Sequence, residues 1–237
     1  MESVKTAVIM AAGLGSRLRP VTLETPKPLI KIQGKMIIET IIEALYSKGI
    51  EDIYVIRGYM SEKFDILLEK YPDLHMLNNL SYDLGNNILS ACLAGNLISN
   101  AFVMPADIWI NNPDVFNPHQ SCSNVLGYKI DETDDWCIET DDSGKILRLS
   151  PGGKNCYKDT GIFYWNSEDG ITLSKFINQI CSDKKNWERY WSSVPFKSHK
   201  QYFSSYIREC SKDDVIEIDT LDELISLDSN YEQFKNS

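Results

Sequence analysis

The sequence predicts an α/β protein: a doubly wound, mostly parallel sheet with a small mixed β portion. Three observations predict it. Through residue 106, short apolar runs alternate with segments of helical periodicity, the pattern of strand–helix–strand units. The first run, Val8-Ile9-Met10-Ala11-Ala12, ends in Gly13-Leu14-Gly15, small residues that let backbone N–H groups approach an anion closely. After Asp107 the alternation gives way to successive strand signals, with a hairpin turn at Asp141-Asp142-Ser143-Gly144.

The elements follow in order. Residues 4–12 form a buried strand, and 35–48 a helix closed by Gly49. A strand at 52–57 precedes a helix at 61–70, which stops before Pro72. A short strand at 74–78, a helix at 86–98 and a strand at 101–106 complete the first half. Strands at 123–130, 136–140, 145–150 and 159–165 follow, then helices at 171–181 and 186–194. A late strand at 215–219 leads into a terminal helix with Thr220 as its N-cap. Nothing reads as a linker, so one domain over 1–237 is expected, divided into halves at 1–110 and 111–237. On such sheets ligands sit at the carboxyl ends of the strands. The glycine loop and the turn Pro105-Ala106-Asp107 both fall there.

Composition narrows the classes. With 43% hydrophobic and 24% charged residues, 237 residues can bury a full core. A net charge of -10 without a basic stripe argues against nucleic-acid binding. A small anionic substrate is compatible if a few cations gather in one cleft. No apolar run approaches the roughly 18 residues of a membrane span. Cys92, Cys122, Cys137, Cys156, Cys181 and Cys210 form no CxxC pair. A reduced, cytoplasmic protein is expected, with the cysteines as small packing residues. His75, His119 and His199 lie far apart, and no P-loop pattern occurs.

Gly13-Leu14-Gly15 alone is a weak signal, and Leu18 in the third glycine position disfavours a dinucleotide oxidoreductase. The longer string is specific: Ala11-Ala12-Gly13-x-Gly15-Ser16-Arg17-Leu18-x-Pro20, then Pro26-Lys27-Pro28-Leu29. It resembles the signature of nucleoside-triphosphate transferases with the Rossmann-like sugar-nucleotidyltransferase fold; the plain alternative is a tight turn with surface basic residues. The resemblance implies a loop wrapped over a triphosphate in the 1–110 half. Arg17 would hold the β and γ phosphates, and Lys27 the α phosphate, where charge grows in the transition state. Asp107 and Asp219 each end a strand, and each alone could be a loop or helix-terminus residue. In the resembled family, aspartates at these positions hold a catalytic metal, here Mg²⁺.

Asn79-Leu80-Ser81-Tyr82 and Asn86-Asn87-Ile88-Leu89-Ser90 narrow the resemblance, with Asp135-Trp136, Gly161-Ile162-Phe163-Tyr164-Trp165, Tyr190-Trp191 and Glu217-Ile218-Asp219 in the same order. Together they are similar to phosphocholine and 2-aminoethylphosphonate cytidylyltransferases. This implies CMP transfer from CTP, to phosphocholine first and 2-aminoethylphosphonate next, with release of pyrophosphate. Nucleotide contacts would come from Ala11, Ala12, Gly13, Gly15, Ser16, Asn79, Tyr82, Asn87 and Ala106. Trp136, Tyr190, Trp191 and Glu217 would form an aromatic and acidic box for the acceptor's cation in the 111–237 half. At helical spacing, however, Trp187, Tyr190 and Trp191 also fit an ordinary core face. Ser192 stands where the phosphocholine enzymes carry an aspartate, which weakens attraction for any cation. A sugar-1-phosphate nucleotidyltransferase and a non-catalytic nucleotide sensor of the same fold are the competing expectations.

Overall fold

The structure is a computed structural model and describes residues 3–235. Strand β1 (Thr6–Ala11) precedes a short antiparallel pair, β2 (Lys31–Ile32) and β3 (Lys35–Met36), and helix α1 (Ile37–Ser47). Then come β4 (Asp52–Arg57), α2 (Ile66–Lys70), β5 (His75–Asn78), α3 (Ile88–Ala94), β6 (Ala101–Pro105) and β7 (Ile108–Ile110). Two long strands follow, β8 (Asn124–Thr140) and β9 (Ile146–Trp165), then α4 (Ser167–Cys181). The chain closes with β10 (Tyr206–Glu209), β11 (Val215–Glu217) and α5 (Leu221–Leu227).

Seven strands make the central sheet in the order β10-β8-β9-β6-β1-β4-β5. The β6-β1-β4-β5 part is parallel, and β9 joins it antiparallel to β6. Strand β1 explains why its sequence run is continuously apolar. Its alternate residues Ala7 and Ile9 pack with α1 and α2, while Val8 packs with α3 and α4 on the opposite face. In α1, Ile37, Ile38, Ile41, Ile42 and Leu45 are fully buried at helical spacing. Gly49, at φ 72°, terminates that helix. No helix among the described residues is long and apolar enough to cross a membrane.

Several boundaries differ from the sequence expectation. The four central strand segments merge into β8 and β9, whose ladder continues through register shifts at Thr133–Trp136 and beyond. These bulges absorb the polar stretch that looked like a break. The mixed β portion is thus an extension of the central sheet, joined by two small antiparallel pairs, β2–β3 and β7–β11. The expected helix at 186–194 does not form. Its backbone is engaged elsewhere: Trp187 C=O accepts from Asn86 N–H at 2.7 Å, and Trp191 N–H donates to Asn87 Oδ1 at 2.9 Å. The expectation that all cysteines are free is also corrected. Cys137 and Cys156 face one another across the bulged ribbon as a disulfide, with Cα atoms 6.1 Å apart. Two cysteines 19 residues apart, brought together by a bulged ladder, leave no signature in cysteine spacing.

Candidate active site

The glycine loop leaves β1 at its carboxyl end. Gly15 sits at φ 61°, and a Cβ there would come within 3.0 Å of both Lys27 Cβ and Thr22 Cγ2. Glycine is needed twice over, for the left-handed backbone and for the close approach. Thr22 Oγ1 donates to Gly15 C=O at 2.9 Å and fixes the loop. Among the described residues, the N–H groups of Gly13 through Arg17 have no protein acceptor; the first internal bond is Leu18 N–H to Gly15 C=O. Those donors are open to an anion.

Lys27 lies in a tight turn between Pro26 and Pro28, its side chain only 9% exposed. Its Nζ is 3.0 Å from Asp107 Oδ2 and 2.7 Å from Asp219 Oδ1. Arg17, largely exposed, reaches Asp219 Oδ2 at 2.8 Å. The two aspartates converge because β7, just after Asp107, pairs antiparallel with β11, just before Asp219. Ile218 N–H donates to Asp107 C=O at 3.0 Å and locks that crossing. Thr220 caps α5, and Glu223 Oε2 accepts from the N–H groups of Asp219 and Thr220, each at 2.8 Å. The Asp219 side chain is thereby left to the ion pairs rather than spent on the helix end. Asp107 Oδ1 is buried and has no hydrogen-bond partner.

A cavity of about 670 Å³ opens beside this cluster. The sequence-predicted residues Ala12, Gly13, Gly15, Ser16, Arg17, Asn79, Tyr82, Asn87, Asp107, Trp136, Tyr190, Trp191, Glu217 and Asp219 all line it. Ala11, Lys27 and Ala106 line a smaller adjoining recess of about 200 Å³. Asn79 is partly committed within the protein, donating to Ser90 Oγ and accepting from Ser81 N–H. Asn87 likewise holds Trp191 N–H.

On another part of the cavity wall, Trp136 and Tyr190 meet edge-to-face with centroids 5.4 Å apart. Trp191 is 5% exposed and packs against Phe163 and Trp165, so the core-face alternative holds for Trp191 and not for Tyr190. Three carboxylates stand here: Asp135, Asp159 and Glu217. Lys158 Nζ bridges two of them, 3.0 Å from Asp135 Oδ2 and 3.5 Å from Glu217 Oε2. Burial works to raise the Asp135 carboxyl, but Lys158 outweighs it and holds it low. Burial, then the neighbouring Asp107 and Asp219, pushes Glu217 up to about 8. Burial pushes Asp159 up to about 7 against the pull of the Gly161 N–H bond.

Residues 6–190 match the family described as nucleotidyl transferase. The chain belongs to that family. This nucleotidyltransferase is 36% identical over 228 residues to a 2-aminoethylphosphonate cytidylyltransferase of Lancefieldella rimae, covering 95% of this chain and 92% of the relative. It is 31% identical to a choline-phosphate cytidylyltransferase of Streptococcus pneumoniae, over 94% and 96% of the two chains. Among solved structures it superposes on a CTP:phosphocholine cytidylyltransferase of Streptococcus pneumoniae with a TM-score of 0.88. That pair shares 29% identity over 95% and 98% of the chains. An inositol-1-phosphate CTP transferase of T. maritima shares the fold, with a TM-score of 0.75 at 16% identity over 98% and 96% of the chains.

Sequence reading of the nucleotidyltransferase did not assign Lys158, Asp159, Gly85, Asn86 or Asp135 to the site, although Asn86 and Asp135 stand in strings that carried the resemblance. Lys158 and Asp159 lie on the long strand β9, where a bulged register hides which face each residue takes. A buried strand carrying adjacent charges was the available signal.

Proposed function

We propose that this nucleotidyltransferase transfers CMP from CTP to a small phosphorylated amino-alcohol or an aminophosphonate, phosphocholine or 2-aminoethylphosphonate, and releases pyrophosphate. The observation that carries the reading is one cavity with two chemically distinct ends. One end is the glycine loop with Arg17, Lys27, Asp107 and Asp219. The other presents carboxylates and two aromatic rings, suited to a cation rather than to sugar hydroxyls. The named relatives, similar over nearly the whole chain, support the same chemistry.

In this reading the acceptor's phosphate or phosphonate oxygen attacks the α phosphorus of CTP in line. A new P–O bond forms, the bond between the α phosphorus and its bridging oxygen to the β phosphorus breaks, and pyrophosphate departs with the electron pair. The attacking oxygen is already anionic, so no general base is required. The open N–H groups of the glycine loop receive the phosphate tail, and Arg17 swings from Asp219 toward it. Lys27, held rigidly between two prolines, presents its ammonium where negative charge accumulates.

Asp107 and Asp219 would hold a divalent cation. The donor set fits Mg²⁺: hard carboxylate oxygens, one of them (Asp107 Oδ1) buried without a partner. No cluster of three or more metal-ligating side chains exists among the described residues. That suits an ion which takes one or two carboxylates and completes its shell with water and substrate phosphate. When bound, Mg²⁺ supplies charge neutralisation to the triphosphate. The test is pyrophosphate release from each nucleoside triphosphate with Mg²⁺, offering phosphocholine, 2-aminoethylphosphonate or glucose-1-phosphate. Release with CTP and an amine-bearing acceptor is expected; release with the sugar phosphate alone overturns the reading.

A further inference from the structure

Among the described residues, Asp159 is the one carboxylate at the acceptor end that makes no ion pair, although the Lys158 charge acts on it from nearby. Asp135 and Glu217 share Lys158, whereas the only hydrogen bond described for Asp159 is from Gly161 N–H to Oδ1 at 2.8 Å. That bond is built in. Gly161 sits at φ 78°, and a Cβ there would press within 2.9 Å of the Pro105 ring, so the donor cannot drift without disturbing β6. Thr160, between them, is buried and donates its hydroxyl to Leu126 C=O at 3.0 Å. The turn therefore holds the carboxylate against the cavity wall with Oδ2 left for a ligand.

The surrounding walls say what that ligand is. A quaternary ammonium has no N–H and is held by aromatic faces. Here Trp191, though it borders the cavity, is packed into Phe163 and Trp165 and 5% exposed, leaving Trp136 and Tyr190 as the open rings, which already meet edge-to-face. A primary ammonium needs hydrogen-bond acceptors instead, and carboxylate oxygens are what this end offers. We propose that Asp159 is the receptor for the acceptor's ammonium group and makes this enzyme select a primary over a quaternary ammonium. The inference rests on the CMP-transfer reading and names the substrate class within it. Burial, with Asp135 nearby, pushes Asp159 up to about 7 against the pull of Gly161 N–H and Lys158, so a further cation bound there would stabilise its charged form.

The test is a methylation series. Rates of CTP-dependent pyrophosphate release are measured with 2-aminoethylphosphonate and its N-methyl, N,N-dimethyl and N,N,N-trimethyl derivatives. They are compared for the wild-type enzyme and Asp159→Asn, which keeps an acceptor for Gly161 N–H. In the wild type, kcat/KM is expected to fall at least about tenfold from the primary to the trimethyl compound, the worth of a lost charge-assisted hydrogen bond. Asp159→Asn should raise the KM for the primary amine by about tenfold or more, leave the KM for CTP unchanged and flatten the series. Turnover that is indifferent to methylation, or faster with the trimethyl compound, overturns the proposal while leaving CMP transfer standing. An unchanged acceptor KM in Asp159→Asn does the same. Silence with every acceptor overturns CMP transfer itself. Should Asp159→Asn fail to fold, Asp159→Ser, which also offers Gly161 N–H an acceptor, takes its place in the same comparison.

Discussion

Lys27 touches both strand-end carboxylates, at 3.0 and 2.7 Å, and its removal leaves Asp107 without an ion pair and Asp219 with only the exposed Arg17. Lys27→Met keeps the aliphatic stem and removes only the charge. Its kcat for pyrophosphate release is expected to fall by about 10²–10³, the usual cost of one preorganised electrostatic donor, with the circular dichroism spectrum unchanged. A rate within threefold of wild type would remove Lys27 from the chemistry. Gly15→Ala tests the same lysine from behind. The added methyl group must occupy a left-handed conformation costing roughly 1–2 kcal/mol and press on Lys27 Cβ. Turnover should drop more than thermal stability does, measured by kcat beside Tm. At this scale the sequence was most readable: Arg17, Lys27, Asp107 and Asp219, up to 202 positions apart, do meet. Each was recognisable because small, charged and proline residues stand at fixed offsets around it.

Elements were legible where one physical rule governed them. Strand β1 and helix α1 follow burial periodicity alone, and Thr220 caps α5 as its hydroxyl and the Glu223 position allow. The 186–194 segment was not legible, because long-range bonds to Asn86 and Asn87 override a helical pattern of aromatics. Element ends also position the site. Glu223→Ala removes the acceptor that ties down Asp219 N–H. Metal affinity, read as the Mg²⁺ concentration for half-maximal rate, should weaken about tenfold or more, as for other residues that orient a ligand. Away from the site, Lys35, Lys70 and Tyr71 surround Glu43. Burial works to raise this carboxyl, but those hydrogen bonds outweigh it and lower it from 4.5 to about 2. The resulting stability is complete above about pH 4.5 and lost as pH falls toward about 2. Urea midpoints should therefore decline across that acid window, and less steeply in Lys70→Met. Equal slopes would show that the cluster adds nothing.

Across the whole molecule, the cavity lies where the parallel half of the sheet meets its antiparallel extension, so loop, aspartates and acceptor wall come from distant parts of the chain. The topology of such a junction was readable as a class, whereas the continuous β8–β9 ribbon was not, since bulges break the two-residue rhythm. In the proposed reaction a divalent ion lets the carboxylate pair engage a triphosphate, so chelation by EDTA is expected to abolish turnover and added Mg²⁺ to restore it. Persistent activity in excess chelator would exclude the metal role. The crossing of β7 and β11 carries one more consequence. Ile216 and Ile218 point into one apolar cluster, which leaves Glu217 and Asp219 side by side on the opposite face of the same extended segment. Their spacing is a strand repeat of roughly 6.6–6.8 Å, and a strand cannot stretch. The segment thus sets a fixed spacing between a carboxylate beside Lys27 and one beside the acceptor wall of the proposed reaction. In the proposed reaction an acceptor with one extra methylene, such as 3-aminopropylphosphonate, would place its phosphonate about 1 Å off and react on the order of 10²-fold more slowly.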